Sequence, residues 1–126
     1  MTIPNTLETL RSTLERAIKA GSDAAQAEVV RLAKIRFTDA CGGSLLILDV
    51  DGRTAFGRIL SAYQQPGVQI RKGYEGGFVL NLPYQFDLVP PVTGQDQAIS
   101  VAADEAALRV IQQELGIKGY VRPYIS

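Results

Sequence analysis

The apolar residues of this chain change their spacing along its length, and each change marks a boundary. Leu7, Leu10, Leu14, Ala17 and Ile18 recur at helical intervals until Gly21 interrupts the stripe. Asn5 and Glu8 stand in capping-box order ahead of it, and Glu15 and Lys19 make a favourable i,i+4 pair. A second stripe begins behind Ser22 and Asp23. It carries Val29, Val30, Ala33 and Phe37 inward, with Glu28, Arg31 and Lys34 on the outer side. A connection this short predicts a helical hairpin ending near Phe37.

Gly42-Gly43 opens a different period. Ser44 to Val50 is a nearly continuous apolar run, the pattern of a strand buried on both faces. Beyond Asp51-Gly52, residues Thr54, Phe56 and Ala62 read as part of a second strand. Pro66-Gly67 predicts a turn, with Gly supplying positive φ, and Val68 and Ile70 a brief third strand. Then Phe78, Leu80, Leu82, Tyr84, Phe86 and Leu88 alternate with Val79, Asn81, Pro83, Gln85, Asp87 and Val89. Period two predicts a strand, or two strands meeting at a bend, with one face buried and Pro83 at an edge or bulge.

Pro90-Pro91 closes that segment, and Ile99 with Val101 fits a short strand. Asp104 caps a last helix with Leu108, Ile111 and Leu115 on one stripe and Gly116 as its stop. The tail through Tyr120 and Arg122 adds a strand. Tight turns, with no crossover helices, predict an α+β class: an N-terminal helical hairpin, a mainly antiparallel sheet of four to six strands and one C-terminal helix.

A length of 126 residues fits one domain over 1–126. Thirteen basic and thirteen acidic residues cancel, which argues against extended nucleic acid as a partner. No run approaches the roughly 18 apolar residues of a membrane span, and the charged first 20 residues do not resemble a signal peptide. A single cysteine, Cys41, suits a reducing compartment, so a cytoplasmic location is expected. The chain has no histidine, which removes triad chemistry and the commonest metal ligand together. No cofactor is expected.

"LLILDVDG", Leu45 to Gly52, resembles the first motif of the haloacid-dehalogenase-like phosphatases. The resemblance implies Asp49 as nucleophile, Asp51 as general acid, and Mg2+ held by Asp49 and a backbone carbonyl on a parallel sheet. Arg53 departs from the small or apolar residue common there. Taken by themselves, the residues favour a type I′ hairpin turn at Asp51-Gly52.

The better functional candidate is "RKGYEGG". Arg71 and Lys72 supply charge, Gly73, Gly76 and Gly77 let backbone amides converge on an anion, and Tyr74 offers a ring for stacking. Arg53 and Arg58, on the strand expected before it, extend the patch. The expectation is a non-catalytic binding protein, homo-oligomeric, holding a phosphate-bearing or nucleotide-like ligand or a partner protein. The alternatives are a structural or adaptor subunit of a larger assembly and the Mg2+-dependent phosphatase. Residues Tyr120 to Ile125 are the candidate oligomer contact, since Tyr and Arg favour interface centres.

Overall fold

The computed structural model describes residues 7–35, 41–73, 76–92 and 96–125. A four-stranded antiparallel sheet is formed by β1 (Gly42–Leu48), β2 (Gln69–Lys72), β3 (Phe78–Asn81) and β4 (Gly119–Ile125), in the order β2-β3-β1-β4. The helices are α1 (Leu7–Ile35), α2 (Ala55–Ala62) and α3 (Gln97–Leu115). The class is therefore α+β with an antiparallel sheet, as expected.

The expected helical hairpin is instead one continuous helix. Its buried stripe runs Leu10, Leu14, Ala17, Gly21, Ala25, Val29 and Leu32, straight through the glycine taken as a stop. A Cβ at Gly21 would lie 2.2 Å from the Tyr84 ring and 2.9 Å from the carbonyl of Ala103. The glycine is there for close approach of α3, which outweighs a propensity cost of about 1 kcal/mol. The expected cap Asn5 and the expected helix end Phe37 lie outside the described residues.

A second correction concerns Asp51-Gly52, which is not a hairpin turn. The Asp51 carbonyl accepts from the Thr54 amide at 3.1 Å, and the chain then enters α2, not a strand. Thr54 Oγ1 accepts from the Gly57 amide at 3.0 Å, an N-cap that satisfies one of the helix's free donors. Phe56 and Leu60, one turn apart, bury the inner face. Gly57 sits inside this helix because a Cβ there would come within 2.2 Å of the Asp51 carbonyl.

The alternating segment keeps its inward face but leaves the sheet after Asn81. Beyond it, α1 side chains replace a neighbouring strand. Ser22 Oγ accepts from the Gln85 amide at 3.0 Å, while Gln26 accepts from the Asp87 amide at 2.7 Å and donates to its carbonyl at 3.0 Å. Four helical residues, the Ser22-to-Gln26 spacing, rise about 6 Å and nearly match two residues of extended chain (about 6.6 Å), so a helix face can satisfy alternate backbone groups.

The C-terminal helix starts earlier than its expected cap. Ile99 and Val101 lie inside α3, and Asp104 is an interior, buried residue. It accepts hydrogen bonds from Tyr84 Oη at 2.7 Å and Ser44 Oγ at 2.6 Å, with Ser44 in turn 2.7 Å from Ser100. Gly116 ends α3 in the left-handed conformation, and β4 follows, both as predicted.

All three helices pack on one face of the sheet. Leu46 and Leu48 from β1 and Phe78 and Leu80 from β3 share a core with Leu14, Phe56, Leu60, Ala107 and Ile111. A smaller cluster joins Ala25, Val29 and Leu32 of α1 to Ile99 and Ala103 of α3. The opposite sheet face carries no helix in either cluster.

Candidate anion-binding site

β2 and β3 form a hairpin closed from Lys72 opposite Phe78, so the predicted glycine-rich stretch is its loop. Gly76 and Gly77 adopt positive φ, 98° and 71°, which L side chains resist. The Gly73 amide donates to the Gly77 carbonyl at 3.0 Å and the Gly76 amide to the Gly73 carbonyl at 3.4 Å. Those two amides are spent holding the turn, so they are not an anion nest. Tyr74 lies outside the described residues.

Arg71 and Lys72 are neighbours on a strand and therefore point to opposite faces. Lys72 joins Asp51, Gly52, Arg53, Gly73, Gly76, Gly77 and Phe78 around a cleft of about 210 Å³. Arg71 lines a second cleft, of about 130 Å³, on the sheet face without helices, with Leu45, Ile47, Gly73, Gly76, Val79, Tyr120 and Arg122. Arg58 is exposed on α2 and lines neither, because the expected strand there is a helix.

The two clefts differ in charge. In the first, Arg53 is tied to Asp51 through Nε at 3.1 Å and Nη2 at 2.8 Å, and its amide also donates to Asp51 Oδ1 at 2.8 Å. These bonds, with lesser help from Lys72, hold the Asp51 carboxyl down at about 2. One cation of the pair is thus neutralised by its own turn. In the second cleft Arg71 and Arg122 face no carboxylate among the described lining residues.

That second cleft is set by register. Arg71 lies opposite Val79, Val79 opposite Ile47, and Ile47 opposite Tyr120, so one row crosses all four strands. Arg122 stands opposite Leu45, two residues from Tyr120 on the same face. Ile47 and Val79 are only 7% and 5% exposed although no described helix packs on them, whereas Tyr120 is 49% exposed. Leu45, Ile47 and Val79 form the aliphatic floor of the cleft.

The phosphatase resemblance finds a different setting. Asp51 is engaged as a turn-building carboxylate, exposed Asp49 lines neither cleft, and the sheet is antiparallel. Among the described residues no group of three or more carboxylate or thiol side chains could hold a metal ion. No described helix is long and apolar enough to cross a membrane. Cys41 is exposed and not in a disulfide.

Arg122 was missing from the sequence reading of this site, and Tyr120 entered only as an interface residue. Their alternation on a tail strand was legible, but nothing in the sequence pairs that strand with Leu45 and Ile47. Comparison with protein-family models, curated proteins and solved structures returned no match.

Proposed function

We propose that this chain is a non-catalytic binding protein that holds an anionic ligand on its helix-free sheet face. The carrying observation is the cleft bounded by Arg71 and Arg122 over Leu45, Ile47 and Val79, with no carboxylate among the described residues that line it. Guanidinium groups match the planar spacing of carboxylate and phosphate oxygens and stay charged at any working pH. This reading keeps Arg71, Gly73 and Gly76 of the expected set, adds Arg122 and Tyr120, and assigns Lys72, Arg53 and Gly77 to the neighbouring cleft. An exposed free thiol at Cys41 suits the cytoplasm.

The test is a thermal-shift panel of inorganic phosphate, sulfate, acetate and chloride at constant ionic strength. Wild type should be stabilised by the multivalent anions, and Arg71→Gln with Arg122→Gln should abolish the shift. Equal shifts in wild type and double variant would refute the assignment.

A second reading, assembly with another copy of this chain, is favoured by the edge strand β4. It exposes Tyr120, Tyr124 and Ile125 on a strand that lies at the sheet's edge among the described residues. Light scattering across a dilution series reads the mass, which should exceed 13.6 kDa if this holds.

A further inference from the structure

We infer that the ligand of the helix-free face is a phosphomonoester carried on a flat ring, of the kind found in aryl phosphates. This rests on the anion-binding reading above and narrows it to one chemical class.

Two features of the cleft select the phosphate. Arg71 and Arg122 come from the two edge strands, whose backbones are about 14 Å apart across three strand spacings. Both side chains nevertheless line the same cleft of about 130 Å³, so they reach inward from opposite sides toward one compact group. A terminal phosphate presents three oxygens and close to two negative charges, enough to receive a fork of N–H donors from each guanidinium. A single carboxylate has two oxygens and one charge, so two guanidinium forks would have to share the same oxygen pair and about half the charge.

The ring follows from the floor and the wall. Leu45, Ile47 and Val79 give an aliphatic base, and Tyr120 stands half exposed at its end. An apolar cavity of roughly 150 Å³ takes up a single benzene ring. This cleft therefore admits one ring or one phosphate at depth, with the other part of the ligand at the rim. A flat ring can lie on the floor with its edge or face against Tyr120, an arrangement worth more than area alone. Larger enclosed ligands are excluded by the volume.

Isothermal titration with four probes tests this: phenyl phosphate, cyclohexyl phosphate, benzoate and inorganic phosphate. Phenyl phosphate should bind most tightly, with benzoate at least about tenfold weaker. Arg71→Gln and Arg122→Gln should each weaken both phenyl phosphate and inorganic phosphate by at least about tenfold. Tyr120→Leu should weaken phenyl phosphate to the level of cyclohexyl phosphate and leave inorganic phosphate unchanged. Lys72→Gln, in the other cleft, should change none of them.

Inorganic phosphate binding that depends on both arginines, with phenyl phosphate no tighter than cyclohexyl phosphate, overturns the ring and leaves the anion reading standing. Benzoate equal to phenyl phosphate overturns the phosphate. No binding by any probe, or binding indifferent to both arginines, overturns the anion reading as well. A phosphotyrosine peptide binding more than tenfold tighter than phenyl phosphate would make the occupant a protein and overturn the small-molecule class. All four substituted positions are exposed, and circular dichroism melting curves confirm that each variant is folded.

Discussion

Replacing Gly21 by alanine separates a glycine that ends a helix from one that admits a neighbour. In an exposed helix interior the change would stabilise by about 1 kcal/mol, because alanine loses less backbone entropy on folding. Here the new Cβ would stand 2.2 Å from Tyr84 Cε1 and 2.9 Å from the Ala103 carbonyl. The carbonyl belongs to α3 and cannot turn away, so overpacking should cost about 1–3 kcal/mol. Tyr84 is also held, since its hydroxyl donates to Asp104 at 2.7 Å. If the ring swings aside, that bond is lost and a buried carboxylate keeps one donor fewer, at about 1–3 kcal/mol. With both costs set against the helix gain of about 1 kcal/mol, Gly21→Ala should destabilise by about 1–5 kcal/mol in urea denaturation. A double-mutant cycle with Tyr84→Leu should show coupling of about 1 kcal/mol or more, because removing the ring and its hydroxyl relieves the nearest clash. A Gly21→Ala protein more stable than wild type would refute the close-packing account of α1 against α3.

Three further outcomes are expected. Burial raises the Asp104 carboxyl above its ordinary value of 3.8, against the opposing bonds from Ser44 and Tyr84. The folded state thus binds the proton more tightly than the unfolded chain. The stabilisation from this group is complete below about 3.8 and is lost as pH rises through the folded value. Asp104→Asn should therefore lose least, or gain most, relative to wild type at pH 7 compared with pH 4.5, and parallel denaturation profiles would contradict it. Thr54→Ala should cost about 0.5–2 kcal/mol by uncapping α2 while Thr54→Ser stays near wild type, and equal midpoints for all three would dismiss the cap. Arg53→Gln should return the Asp51 carboxyl from about 2 toward 3.8 in an NMR titration, with Lys72→Gln moving it much less. An Asp51 still titrating near 2 without Arg53 would mean another cause.

What the residues determine by themselves is local and periodic. Gly116 stops a helix, Pro66-Gly67 makes a turn with Gly67 at φ 82°, and the alternation from Phe78 through Phe86 puts the right side chains inward. Each depends on backbone preference or side-chain period, which act over a few neighbouring residues. The antiparallel α+β class was expected from tight turns between strands, and among the described elements the β2–β3 loop alone joins consecutive strands that pair. Tertiary structure decided whatever depends on the partner. Gly21 and Gly57 look like breaks in a helix until the atoms that would meet their Cβ are known. The alternating segment looks like a strand throughout until Ser22 and Gln26 take over the role of a neighbouring strand. Asp51, one residue of an expected hairpin turn, instead binds Arg53 and leads into a helix. The site divides in the same way. The sequence places cations at Arg71 and Lys72, and the strand period sends them to opposite faces. Only sheet register brings Arg122 and Tyr120, some fifty residues further along, to the Arg71 side, because long-range pairing is set by the shared core and not by any local signal.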